Sequence, residues 1–110
     1  MASFAFKCLG RAVPAEELPK LPLEAQFRIL DLLEHYGLTQ GASEDAPAYA
    51  RFAAALAYEM VALSLRRLDP KVTADTLRND EDHDVILDAF TVVRDGNPRL
   101  FPKTGGGQGN

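Results

Sequence analysis

Apolar residues along the chain fall into runs with helical spacing, separated by proline, glycine and acidic breaks. From Leu23 to Tyr36, the residues Phe27, Leu30 and Leu33, with Ile29, Leu32 and Tyr36 beside them, form a wide stripe, and Gly37 follows as a natural stop. The spacing predicts a helix over 23–36 that turns this stripe to the core and leaves Glu24, Arg28, Asp31 and Glu34 in water. Leu38 to Ala46 reads as a loop rich in small and turn-forming residues. In it Ser43 or Asp45 can cap the next helix, and Pro47 suits that helix's first turn. This longest helix, predicted over 46–68, carries Tyr49, Phe52, Leu56, Met60 and Leu63 on one side and Ala50, Ala54, Ala57, Val61, Leu65 and Leu68 on another. A helix apolar around most of its circumference belongs at the centre of a bundle. Only the stripe Arg51, Ala55, Glu59, Ala62 and Arg66 is small or polar. Since no core demands it, that stripe is the candidate partner-binding surface.

Pro70 closes the long helix, and Thr73 caps a short one predicted over 73–78. After the break at Arg78-Asn79-Asp80, Asp80 or Asp82 can cap a last helix over 82–95. It buries Val85, Ile86, Ala89, Phe90 and Val93 and stops at Asp95-Gly96-Asn97-Pro98. At the other end, Phe4, Phe6 and Cys8 alternate with Ser3, Ala5 and Lys7 up to Gly10. This suggests one short strand or extended arm over 1–13 that pairs with another copy or lies along a helix. Pro14, Pro19 and Pro22 then limit Ala15 to Leu18 to one helical turn. The expected fold is all-α: a small single-domain bundle of three to four helices over 1–98, with a short N-terminal strand or arm and a flexible Gly-rich tail over 99–110.

Composition narrows the class without naming a function. The 110 residues are 46% apolar and 25% charged, ordinary for one folded domain, and carry a net charge of −4. An acidic domain repels phosphate backbones, which speaks against nucleic acid as a partner. No apolar stretch approaches the ~20 residues that cross a bilayer, and the short apolar start, interrupted by Lys7, is unlike a signal peptide. With Cys8 alone, neither an internal disulfide nor a cysteine zinc site can form, so a cytoplasmic setting is expected.

Candidate chemistry is sparse. The run Asp80-Glu81-Asp82-His83-Asp84 holds four carboxylates and an imidazole, a set that can ligate a divalent cation and serve a metal-dependent hydrolase. It lacks a glycine-pivoted loop and a second histidine at helical spacing, and acidic residues at a helix start complement the helix dipole unaided. His35, in a last turn, fits the opposite dipole end. Cys8 has no base beside it in sequence and reads as a small hydrophobe. Arg66, Arg67 and Arg78 flank a short turn and offer a DNA-binding regulator as another reading, although the recognition segment Ala74 to Arg78 presents one cation only. Without a nucleophile elbow, a P-loop or a dinucleotide fingerprint, the expectation is a non-enzyme with no cofactor and no metal. Such a body suits capture of a partner helix, or self-association into an oligomer.

The stretch Val61-Ala62-Leu63-Ser64-Leu65-Arg66-Arg67-Leu68-Asp69-Pro70-Lys71-Val72-Thr73 resembles the tail-assembly chaperones of long-tailed bacteriophages. Their pattern is an apolar helix ending in a basic pair, Asp-Pro-x-Val-Thr, a short turn, an acidic break and a final helix closed by glycine. Here it spans about residues 58 to 97. The resemblance implies a non-catalytic protein of the bacterial host cytoplasm that binds the tape-measure protein in many copies and keeps it soluble. It also implies that the chain helps recruit tail-tube subunits and is absent from the mature virion. It further implies a longer frameshifted product, and Gly105-Gly106-Gly107 is compatible with a slippery codon run as well as with a plain linker. Leu77-Arg78-Asn79-Asp80-Glu81-Asp82-His83-Asp84 also resembles the opening motif of phage head–tail connector proteins, displaced here from its usual place near the N-terminus.

Overall fold

The computed structural model describes residues 3–38 and 47–101. Two strands, β1 (Ser3–Phe6) and β2 (Arg11–Pro14), precede a 3-10 turn at Ala15–Glu17 and four helices: α1 (Glu24–His35), α2 (Pro47–Leu65), α3 (Ala74–Asp80) and α4 (His83–Asp95). The molecule is therefore mostly helical and not purely all-α. The arm expected over 1–13 as one strand pairing with another copy or a helix instead folds, over its described residues, into a hairpin within the chain that takes in β1 and most of β2. Ser3 opposes Pro14, Phe4 opposes Val13, and Phe6 opposes Arg11. Alternation along the strands sends Phe6 and Val13 into the core. The hairpin loop turns at Gly10, whose φ of +67° suits a residue without a side chain. The second strand escapes a periodicity search because Arg11-Ala12-Val13-Pro14 buries only Val13.

α2 is the central helix, as its pattern predicts. Leu56, Ala57, Met60, Val61, Leu63 and Leu65 are buried, with α1, α3 and α4 all packed on it. It ends at Leu65, short of the expected Leu68, where the chain tightens into a turn in which the Leu68 amide donates to Leu65 O at 2.8 Å ahead of Pro70. The expected start at Ala46 and the caps Ser43 and Asp45 lie outside the described residues. α1 stops as foreseen: Gly37 (φ +67°) donates to Glu34 O at 3.0 Å and Leu38 donates to Leu33 O at 2.8 Å, a Schellman closure. Thr73 opens α3 with a reciprocal capping box to Thr76. The helix runs on to Asp80, two residues beyond the expected end. Asp82 is the N-cap residue of α4, although its side chain makes no capping bond. The tail expected to be flexible from Arg99 packs back on the fold over its described residues. Leu100 and Phe101 donate to Asn97 O at 3.1 and 3.0 Å, and the Phe101 ring meets Phe90 edge-on at 5.6 Å. The Gly105–Gly107 run lies outside the described residues.

The proline-spaced segment between β2 and α1 crosses the bundle with Leu18 fully buried. An irregular segment leaves carbonyls without helix or sheet partners, and side chains from the helical region donate to them. Ser64 Oγ donates to Leu18 O at 2.7 Å, Asn97 Nδ2 to Pro19 O at 2.8 Å, and Arg67 Nη1 to Glu17 O at 3.2 Å. Pro19 sits so close beneath Gly96 that a β-carbon there would meet the proline Cγ at 2.7 Å.

This crossing generates a stability test. Gly96→Ala, whose backbone conformation suits alanine, is expected to cost about 1–3 kcal/mol through overpacking against Pro19. Ser64→Ala is expected to cost a similar amount, roughly 1–3 kcal/mol, by leaving the Leu18 carbonyl unpaired. Urea denaturation of both variants checks this; unchanged midpoints would show that the crossing segment is not fixed by these contacts.

Candidate functional site

α1 lies on α2 in an orientation that inverts part of the sequence expectation. Ala25 is its only buried residue, while Ile29, Leu32, Leu33 and Tyr36 are half-buried against the core. Phe27 and Leu30, expected in the core, are 57% and 55% exposed, and Leu23 at the helix start is 74% exposed. At 100° per residue these three lie on one line along the helix, with Glu34 continuing it. Glu24, Asp31 and Glu34, all exposed, border the line. Arg28, expected in water, faces α2 instead: its Nη2 reaches Glu59 Oε1 at 2.9 Å. Its hydrogen bond and Coulombic attraction to Glu59 hold the guanidinium more firmly protonated. α1 therefore attaches by a half-buried ion pair and a partial apolar face, and presents its remaining apolar stripe outward.

The stripe singled out on α2 divides. Glu59, Ala62 and Arg66, with Arg28, Thr73, Asp75 and Arg78 from α1 and α3, line a cleft of about 210 Å³. Ala55 and Glu59 line a second, of about 360 Å³, together with Asp31, His35 and Tyr36. Ala62 is 3% exposed, Glu59 is engaged by Arg28, and Arg66 stands 4.0 Å from Glu24, while Arg51 is exposed. Ala55, Glu59 and Ala62 in the middle of the stripe form the floor between α1 and α3 rather than an open face, while Arg51 and Arg66 at its ends are exposed. Reversing the charge of Glu59 would loosen α1 as well as alter that floor.

The acidic run is dispersed. Glu81, expected as a dipole complement at a helix start, instead follows the end of α3 and is 9% exposed. Its carboxylate accepts from the amides of Lys7 at 2.9 Å and Cys8 at 2.7 Å, and so ties the hairpin loop to the joint between α3 and α4. Asp82 pairs with Lys7 at 3.5 Å. His83 Nδ1 lies 2.8 Å from the Tyr58 hydroxyl, its ring stacked on Tyr58. Asp80 and Asp84 are exposed. His35 meets Tyr36 edge-on at the end of α1. Burial, followed by the hydrogen bond to Glu81 and the charges of Glu81 and Asp80, pushes the Cys8 thiol from 9.0 up to about 12, the opposite of an activated nucleophile. Of the candidate DNA-binding cations, Arg66 faces Glu24, Arg67 reaches Glu17 at 3.7 Å, and Arg78 pairs with Asp75. Glu17 is held below the ordinary carboxylate value first by its bond to Lys20, with Arg67 adding to it.

No protein-family model matches this chain, and neither a curated protein nor a solved structure does.

Sequence reasoning could not single out the α1 stripe or Glu81 in these roles. Leu23, Phe27 and Leu30 look like core, and Glu81 looks like one surface acid among four. Both roles depend on contacts tens of residues away.

The Glu81–Cys8 contact sets the reactivity of the thiol and part of the stability. With its thiol shifted from 9.0 to about 12, Cys8 in the folded chain is expected to react with iodoacetamide at pH 8 orders of magnitude more slowly than in urea. Because the folded state holds this proton more tightly, stability is fully present below pH 9 and declines as pH rises towards 12, a decline that Cys8→Ala reduces. Glu81→Gln keeps one acceptor and sets an NH2 against the other amide, at an expected cost of about 1–3 kcal/mol. Thiol kinetics and denaturation at pH 7 to 11 check both; equal alkylation rates in folded and unfolded chain would dismiss the contact.

Proposed function

We propose that this chain is a non-enzymatic protein-binding module acting as a tail-assembly chaperone of a long-tailed phage. It binds the tape-measure protein in the host cytoplasm, keeps it soluble, helps recruit tail-tube subunits and is left out of the mature virion. The observation that carries the binding part is the outward apolar line Leu23, Phe27 and Leu30 on a helix already anchored by its other side. Three large apolar side chains, each more than half exposed, follow one another along one helix face, and contiguous exposed apolar surface of this kind on a monomer often marks an interaction site.

The phage part rests on the resemblance over residues 58 to 97. Its central motif has a local physical basis in this chain: Asp69 Oδ1 accepts from the Lys71 amide at 3.0 Å, Pro70 forbids further helix, and Thr73 starts the next one. The turn thereby sets α3 beside α2. The connector and DNA-regulator readings have less in their favour. Leu77 and Glu81 of the connector motif are buried in the fold, and the arginines a DNA reading needs stand beside carboxylates of the same chain. No described helix is long and apolar enough to cross a membrane.

Co-expression tests the reading. A tape-measure protein that is insoluble alone is expected to remain in the supernatant with the wild-type chain. Phe27→Glu combined with Leu30→Glu is expected to reduce that soluble fraction roughly tenfold, the scale of losing an interface anchor. A client equally insoluble with and without the chain would sink the proposal.

A further inference from the structure

We infer that the outer face of α1 receives a partner helix whose apolar stripe is bordered by lysine or arginine. This rests on the reading of that face as a docking surface and names the chemistry of what docks. Leu23, Phe27 and Leu30 lie at i, i+4 and i+7, the spacing that meets an apolar stripe on another helix. The border is acidic: Glu24 and Asp31 on one side, and Glu34 at the end of the line. Nearby cations compensate it only in part: Arg66 and Arg28 reach Glu24 and Asp31 at 4.0 Å each, but the short bond of Arg28 goes to Glu59 at 2.9 Å, and Glu34 makes no ion pair among the described residues. A helix with basic flanks complements this border, whereas acidic flanks would meet like charge.

Other occupants fit less well. Of the segments outside the described residues, 39–46 and 102–110 contain no large apolar side chain to cover Phe27, and 1–2 add a single methionine next to β1. A second copy docked antiparallel would set Glu24 and Asp31 of one α1 against those of the other; docked in parallel it would bring Glu34 onto Glu34. An anionic lipid surface meets the same repulsion. Phe27, aromatic and central in the line, is the anchor that a partner's small or leucine-lined pocket would receive.

The probes are two synthetic amphipathic helices with an identical leucine stripe, one flanked by lysines and the other by glutamates. Each is titrated into the full chain by calorimetry at low and at physiological salt. The lysine helix is expected to bind at least about tenfold more tightly, with the preference shrinking as salt rises. Phe27→Ala is expected to weaken it by about tenfold or more while the thermal melt stays unchanged, since Phe27 is exposed. Asp31→Lys with Glu34→Lys is expected to reverse the preference. Equal binding of the two helices, binding of neither, or indifference to Phe27 would overturn the inference. So would a Phe27-dependent dimer in sedimentation, or Phe27-dependent capture by phosphatidylcholine–phosphatidylserine vesicles. Failure of the lysine helix beside a tape-measure protein that the chain still keeps soluble refutes this inference alone. Tight binding of the lysine helix beside an insoluble tape-measure protein refutes the chaperone reading alone.

Discussion

The short crossing from Glu17 to Pro19 is the constraint on which the rest of the arrangement depends. A proline-rich stretch carries carbonyls that no helix or sheet ladder will satisfy, and here it sends Leu18 fully into the core while Glu17 and Pro19 stay half-buried beside it. Ser64, Asn97 and Arg67 each supply a donor. Ser64 and Arg67 come from the end of α2 and the turn after it, and Asn97 from the turn after α4, so one irregular segment ties together two parts of the chain distant in sequence. Gly96 completes the fit by giving Pro19 room. The crossing also fixes where the chain emerges to begin α1.

Because α1 starts from that anchored exit, its rotation on α2 is not free to follow its own apolar pattern. Ala25 passes closest to the core, Arg28 reaches the half-buried Glu59, and the Leu23–Phe27–Leu30 line is left outside. A half-buried pair of this kind contributes on the order of 1 kcal/mol; its greater consequence here is orientation. The same rotation turns the middle of the polar stripe of α2 into the floor of the α1–α3 clefts and moves the accessible apolar surface onto the neighbouring helix.

Glu81 plays a comparable part at the other end. Its carboxylate receives two amides of the hairpin loop, which holds a two-stranded sheet that alone would be marginal. The acidic run is therefore a joint: one member inward, one beside Lys7, and His83 on Tyr58. A cluster of ligating residue types in sequence becomes a set of separate structural contacts once the helix break turns them in different directions.

Several elements were determined by the sequence alone, because their causes are local. The glycine closure of α1, the Thr73 cap, the limited turn before Leu18 and the central place of α2 follow from backbone sterics, capping bonds and apolar circumference. They hold whatever surrounds them. The partnering of β1, the outward rotation of α1, the burial of Glu81 and the covering of Ala62 were decided only by the tertiary structure. In each case the deciding partner lies tens of residues away. Hydrophobic periodicity states that a helix has an apolar side; it does not state how much of that side the rest of the fold can cover. α2, packed by α1, α3 and α4, buries most of its surface from Leu56 to Leu65, while Ala50 and Ala54, expected on a core side, stay exposed near its start. α1, with a broader stripe than its contact with α2 can bury, keeps part of it facing solvent.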